Sequence, residues 1–480
     1  MLTRTSRKLL LLVALLASAL PACKPRSRQA RGALLVIVVD ELRADHCSLL
    51  GYDRETTPQL AALAAEGALF ERAFTTAPWS VPAHLALLTG CDPGVAERYL
   101  PPDAPVSAVL RWRLPAGAPS FAEEMLRAGF STAAFVENPL IGPALGFARG
   151  FQTFENLEAG GGERRERGGP LGRLEKWIAE RDEGEPWFAY VQLSSLVRTW
   201  DEPDAHWDRR FEPRAQLALA PPVVDSHYAW FAAPRRRWSG AYTTLGEYEA
   251  RYDGALAKLD LELGRFVDKL RTRRDFNELT LAIVGAYGLS FGEGGLYLDS
   301  GGLTESDLRS LCLIRPADRT PNAPRGTRIS AVASTIDLAP TLLEGHGAQP
   351  PGSMQGHSWW GQIAGKAAPP SQDRVVFARY ARQDGFLAAK TELTYAYSRP
   401  WLTDPQHLVR AWYGGAAPSD PQPIHTLVER TAEGWSAPRE ITDAEQPPLR
   451  ELRDAAQAWF QRVEDARRAF HPGAASNASL

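Results

Sequence analysis

Cysteine is scarce in this 480-residue chain: beyond Cys23 near the N-terminus there are only Cys47, Cys91 and Cys312. Three scattered thiols cannot build a disulfide framework or a zinc site. They leave two readings, a single Cys47–Cys91 bridge or buried free thiols. Excess charge of either sign is also missing, since 54 Lys and Arg face 57 Asp and Glu for a formal net charge of −3. No basic stripe interleaved with aromatics occurs, so nucleic acid is not an expected partner. At the N-terminus a bilayer-spanning run is lacking. Leu9 to Leu20 is largely apolar but too short to cross comfortably, and it follows Arg4, Arg7 and Lys8. That arrangement is an export signal.

The signal closes on Leu20-Pro21-Ala22-Cys23, which is similar to a bacterial lipobox. Residues 1–23 are therefore expected to be a lipoprotein signal peptide and 24–32 a short basic tether, the alternative being ordinary signal cleavage nearby or an uncleaved anchor. The mature protein is then an exported envelope lipoprotein, in the periplasm or at the cell surface, held to the membrane through a lipidated Cys23.

What the chain does contain is alternation of strand and helix patterns. Ala33–Val39, Thr132–Val136, Trp187–Leu193, Leu279–Val284 and Leu311–Ile314 are short, apolar and rich in β-branched or aromatic residues, as buried strands are. Between them, Pro58 opens a helical pattern, and Pro82–Thr89 forms another just after Ser80. Ser120 caps a third with Glu123 three residues on. Glu247–Leu270 repeats at helical period, Asp337–Leu343 is helical, and Gly160–Gly169 reads as a disordered surface loop. Val375–Tyr397 alternates like antiparallel strands and Pro448–Phe470 closes as a helix. The expected fold is α/β, a large mostly parallel sheet flanked by helices over residues 33–365. A small C-terminal α+β subdomain spans 370–470, with a tail at 471–480.

One lack bears directly on chemistry. The apolar run Leu281-Ala282-Ile283-Val284-Gly285 ends at Ala286-Tyr287-Gly288. A buried parallel strand delivers functional groups at its carboxyl end, yet here neither carboxylate nor imidazole is delivered.

Several blocks, in order, carry a family pattern. They are Val38-Val39-Asp40-Glu41-Leu42-Arg43-Ala44-Asp45-His46, Gly51-Tyr52-Asp53 with Thr56-Thr57-Pro58, and Ala77-Pro78-Trp79-Ser80-Val81-Pro82-Ala83-His84 running into Leu87-Leu88-Thr89-Gly90. Tyr252-Asp253, Leu263-Gly264-Arg265, Ile336-Asp337-Leu338-Ala339-Pro340-Thr341 and Gln355-Gly356 follow. Together they resemble the sulfatase family of the alkaline phosphatase superfamily over roughly residues 32–465. The resemblance implies a sulfuric ester hydrolase with calcium in an oxygen cage and a formylglycine nucleophile made from Cys or Ser. Ser80 falls on the nucleophile position and His84 stands where many relatives carry an arginine. Asp40 and Glu41 fall on the first two metal-ligand positions. The second half of that cage, an Asp followed by His or Asn, is here Ala286 and Tyr287, so calcium is implied by the family and opposed by these residues. Glu293-Gly294-Gly295, Ser300 and Ser195-Leu196-Val197 likewise stand where relatives carry His, Lys or Asp-Pro-His.

A dication sheds its water only for about six oxygen ligands, several of them charged. The expectation is therefore a sulfatase-family protein with lost or strongly reduced catalysis, binding a sulfated or anionic small molecule or glycan. The alternative is an active sulfate- or phosphate-ester hydrolase with a rearranged site using Ser80 and Asp40. Glu293 and Asp299 are the candidate acids to replace the missing pair. Asp45-His46 reads as loop-stabilising rather than catalytic, and His346 and His357 as exposed loop residues. Trp200, Trp359 and Trp360 are either sugar-stacking or core residues.

Overall fold

A computed structural model describes residues 32–96, 113–158 and 168–200, most of 204–379, and parts of 385–398, 424–441 and 455–470. The expected leader, nearly all of the tether and the tail lie outside the described residues, as does the Gly160–Gly169 loop apart from Gly168 and Gly169, which cap and open a helix. No described helix is long and apolar enough to cross a membrane.

The fold is α/β. Its main sheet is formed by β1 (Ala33–Val39), β2 (Ala68–Phe74), β3 (Ser131–Val136), β4 (Thr153–Asn156), β5 (Trp187–Leu193), β6 (Leu279–Gly285), β7 (Arg309–Arg315) and β8 (Thr327–Ile329), with β9 (Ala333–Ser334) paired to β2. The order is β8-β2-β7-β6-β1-β5-β3-β4. Only β7 runs against its neighbours, β2 and β6. The central position of β1, between β5 and β6, explains its unbroken apolar sequence, because both of its faces are covered.

Residues alternate between the two faces. Leu34, Val36 and Val38 pack with α2 (Ser80–Thr89), α3 (Phe121–Arg127) and α6 (Leu338–Gly345). Leu35, Ile37 and Val39 pack with α1 (Pro58–Ala64), α4 (Gly169–Ala179) and α5 (Leu245–Arg271). The expected Ser120 cap accepts from the Glu123 amide; α5 starts at Leu245, two residues before the expected Glu247, where Thr244 with Glu247 closes a capping box. Helix α2 begins at Ser80, two residues before the expected start at Pro82. Pro82 lacks an amide hydrogen, which the first turn does not use.

Toward the C-terminus Val376–Arg379, Gly385–Lys390, Leu393–Ser398 and Ile424–Thr431 form a separate antiparallel sheet. The described positions between 455 and 470 are helical.

Three expectations meet the structure at single residues. His346 is buried rather than exposed, because it ends α6 with Nδ1 against the Leu342 carbonyl (2.8 Å) and its ring edge-on to Phe130. Trp200, Trp359 and Trp360 are all buried, Trp359 donating to Asp337, so they pack the core. Cys47 and Cys91 are free, buried thiols.

Candidate active site

Parallel strands of one sheet end at a common edge, and β1, β5 and β6 bring Asp40, Gln192 and Tyr287 there. Asp40 follows β1, its amide bonded to Leu193 of β5 (3.0 Å), while the Ala286 amide bonds Val39 (2.8 Å). Helix α2 supplies Ser80 in its first turn and His84 one turn later, both on the face toward Asp40. Asn138, just past β3, completes the group.

Asp40 is wholly buried, and among the described residues every side chain that reaches its carboxylate is a donor. His84 Nε2 lies 2.8 Å from Oδ1; Asn138 Nδ2 (3.0 Å), Gln192 Nε2 (3.1 Å) and Ser80 Oγ (3.5 Å) converge on Oδ2. The amide orientations follow from the surrounding bonds. Gln192 Oε1 accepts the Glu137 and Asn138 amides, each at 2.8 Å, and Asn138 Oδ1 accepts Leu140 N at 2.9 Å. Their NH2 groups are thereby aimed at Asp40. Tyr190 OH lies 2.6 Å from His84 Nδ1. Burial, then the Asp40 charge, drives the Tyr190 phenol well above its ordinary pKa, so it stays protonated and donates. His84 is left to offer Nε2–H to the carboxylate.

Ser80 is equally occupied. Its Oγ is 2.9 Å from Tyr287 OH and 2.9 Å from Asn138 Nδ2. Burial first, then the charges of Asp40 and Glu41, holds the Tyr287 phenol well above its usual pKa. Tyr287 therefore keeps its proton and shares a hydrogen bond with Ser80, Asn138 donates a second bond to Oγ, and the Asp40 carboxylate lies 3.5 Å from the hydroxyl.

The structure brings Asp40, Ser80 and His84 together but turns Glu41 elsewhere. Glu41 adopts φ 58°, a left-handed conformation costly for a side chain. Tyr252 of α5 holds it, donating to the Glu41 carbonyl (2.7 Å) and accepting the Arg43 amide (2.8 Å). The Glu41 carboxylate is gripped by Arg237 through two bonds of 2.8 and 2.5 Å. Asp299 lies 3.9 Å from the same guanidinium. Glu293 pairs with Arg43 at 2.8 Å, and Arg43 also binds Asp45. His46 bonds Asp253 of α5 at 2.7 Å, so the Asp45-His46 segment is a loop brace.

Calcium needs convergent oxygen acceptors, and these residues do not fit it. Asp40 meets N–H and O–H groups, Glu41 meets a guanidinium, and Ala286 brings nothing. Among the described residues no group of three or more His, Cys, Asp or Glu is arranged to hold a metal ion. Sequence reasoning missed Asn138, Tyr190, Gln192 and Arg237. Gln192 was detectable as the one amide inside the apolar run of β5, and Asn138 by its place just beyond a strand's carboxyl end. Arg237 gave no signal within Arg235-Arg236-Arg237.

The sulfatase family's sequence profile matches residues 33–348. No curated protein matches the chain. Among solved structures, the phosphonate monoester hydrolase of Silicibacter pomeroyi is similar at 16% identity and TM-score 0.62, covering 91% of this chain and 96% of that one. A 2-O GAG sulfatase is similar at 14% identity and TM-score 0.61, with 92% and 94% covered. A protein solved with D-glucosamine-2-N,6-O-disulfate as its substrate is similar at 14% identity and TM-score 0.60, with 94% and 100% covered. With the profile spanning well over half its length, the chain belongs to the sulfatase family.

Proposed function

We propose that this protein is a sulfatase-family pseudoenzyme, a binder of sulfated or otherwise anionic glycans that no longer cleaves sulfate esters. One observation carries the reading: Asp40, on a family metal-ligand position, is surrounded by four side-chain donors. Sulfate-ester cleavage calls for a free nucleophile and concentrated positive charge on the equatorial oxygens. Ser80 Oγ is already hydrogen-bonded to Tyr287 and Asn138, and both neighbours are neutral. The glycan part of the reading rests on the family and on a similar protein solved with a glucosamine disulfate. Export and anchoring through a lipidated Cys23 belong to the same reading and rest on the N-terminal sequence.

The test is metal analysis of the purified protein, with melting temperature in EDTA and in calcium, beside turnover of an aryl sulfate and an aryl phosphonate monoester. The expected result is no stoichiometric metal, a melting temperature indifferent to both additions, and no turnover. Bound calcium or magnesium together with turnover that Ser80→Ala abolishes would overturn it.

A second reading has one observation in its favour. Ser80 sits in the first turn of α2, slightly open to solvent at 8% exposure, with the Asp40 carboxylate 3.5 Å from its hydroxyl. A metal-independent phosphate- or sulfate-ester hydrolase could use Asp40 as base toward Ser80. His84 does not bridge the two, because Asp40 lies between His84 and Ser80. On this reading turnover survives EDTA and is lost in both Asp40→Asn and Ser80→Ala.

A further inference from the structure

We propose that Arg237 is the resident cation of this site, its guanidinium supplying the positive charge that balances Glu41 and Asp299 in place of a dication. The inference rests on the metal-free reading above and goes beyond it by naming what substitutes for the ion. Glu41 and Arg237 are both almost completely buried, with side-chain exposures of 2% and 7%. A lone buried carboxylate is strongly unfavourable, so a partner of opposite charge is required.

The partner here binds bidentately, a geometry that the planar guanidinium provides and that a single point charge does not. Asp299 approaches the same nitrogen and also accepts the Ser300 amide at 3.0 Å. The negative charges of Asp40 and Glu41 and the positive charge of Arg237 all act on the buried Tyr287 phenol. Tyr287 stands just past the end of β6, where the family resemblance places the second pair of ligands. Glu41 holds a left-handed backbone conformation at φ 58°, and both oxygens of its carboxylate bind Arg237. Ala286 brings no acid to the strand tip, and Arg237 brings a cation to Glu41.

Substituting Arg237 separates charge replacement from an ordinary ion pair. Arg237→Met keeps volume and removes charge; Arg237→Lys keeps charge and loses the fork. In the full chain, Arg237→Met is expected to lower the melting temperature by about 5 °C or more, and millimolar calcium is expected to recover part of that loss. Arg237→Lys should lose less and ignore calcium, as should the wild type. Glu41→Gln in the Arg237→Met background should abolish the calcium response, since the acid that needs balancing is gone.

Recovery of folded, soluble Arg237→Met only when calcium is present counts for the inference. A variant that stays unfolded or unresponsive in calcium, or equal losses in the Met and Lys variants, would overturn it. A wild type that itself responds to calcium sinks the parent reading instead, so the two failures are told apart.

Discussion

Replacing Asp40 by Asn changes one atom and reverses a hydrogen-bonding polarity. The carboxylate accepts at both oxygens, from His84 on one side and from Asn138, Gln192 and Ser80 on the other. An introduced NH2 must displace one of those oxygens. On the Oδ2 side it would face the NH2 groups of Asn138 and Gln192, whose own oxygens are committed to backbone amides. On the Oδ1 side it would face His84, whose ring could answer only by exchanging its tautomer against Tyr190. One contact is lost on the Oδ1 side or three on the Oδ2 side, and those that remain lose their charge assistance, a hydrogen bond to a charged group contributing about 1.5–3 kcal/mol. Partial relaxation through the slightly open Ser80 side leaves a cost of about 4 kcal/mol, a large share of the roughly 5–15 kcal/mol that stabilises a folded domain.

The measurement is urea unfolding of wild type and Asp40→Asn in EDTA, compared through midpoints at constant slope. A compensating change strengthens it. Gln192→Glu puts acceptor oxygen opposite the introduced NH2 while still accepting the Glu137 and Asn138 amides, so the double variant should recover more than half of the loss. Additivity of the two single costs, or an Asp40→Asn cost under about 1 kcal/mol, would refute the donor-cage argument.

Tyr252→Phe removes the hydroxyl that bridges the Glu41 carbonyl and the Arg43 amide. It should cost about 1–3 kcal/mol by denaturant unfolding, because both groups are left buried. Gly288→Ala places a Cβ 1.8 Å from the Ser306 carbonyl oxygen. The turn carrying Tyr287 must then move, with a loss of at least about 2 kcal/mol and an altered Tyr287 environment by near-UV circular dichroism. Burial lowers the His346 pKa from 6.5 to about 4. The unfolded chain therefore binds the proton first, and His346 withdraws stability as pH falls from 6.5 toward 4. Burial raises Asp260 and Asp307 to about 6, and these act with the opposite sign, withdrawing stability as pH rises from about 4 to 6. His346→Gln should flatten the acid-side loss relative to wild type in unfolding free energy across that window, whereas Asp260→Asn should steepen it.

The strands and helices were legible because their signals are local. The unbroken apolar runs of β1, β5 and β6 state that both faces are covered, and the Ser120 cap marks a helix start within a residue, whereas the long helix begins at Leu245, two residues before the expected Glu247. The reversal of β7 was not legible, since a short apolar run reads the same in either direction. At the site, Asp40, Ser80 and His84 could be named from their blocks because each block ends at the same sheet edge. Arg237 could not, because it reaches Glu41 across nearly two hundred residues from a stretch without periodicity. His346 was misread as exposed because glycines follow the helix it ends, although its ring turns back beneath α6.

The polarity of the site is its most informative property. A metal cage is a convergence of acceptors, and a vacated cage could in principle retain them with water between. This one does not: the described side chains contacting Asp40 are all donors, Gln192 and Asn138 are oriented by further backbone bonds, and Glu41 has its own cation. Such mutual pairing cannot arise from the loss of Ala286's counterpart alone. Gln192, Asn138, His84 and Arg237 lie on four separate segments and each must carry a donor for buried acids to persist at all. The pattern is that of a buried carboxylate satisfied by donors from several segments, in which Asp40 orders the sheet edge. Removing Asp40's charge should therefore loosen β5 and the start of α2 together, which hydrogen exchange at Leu193 and at the first amides of α2 would register.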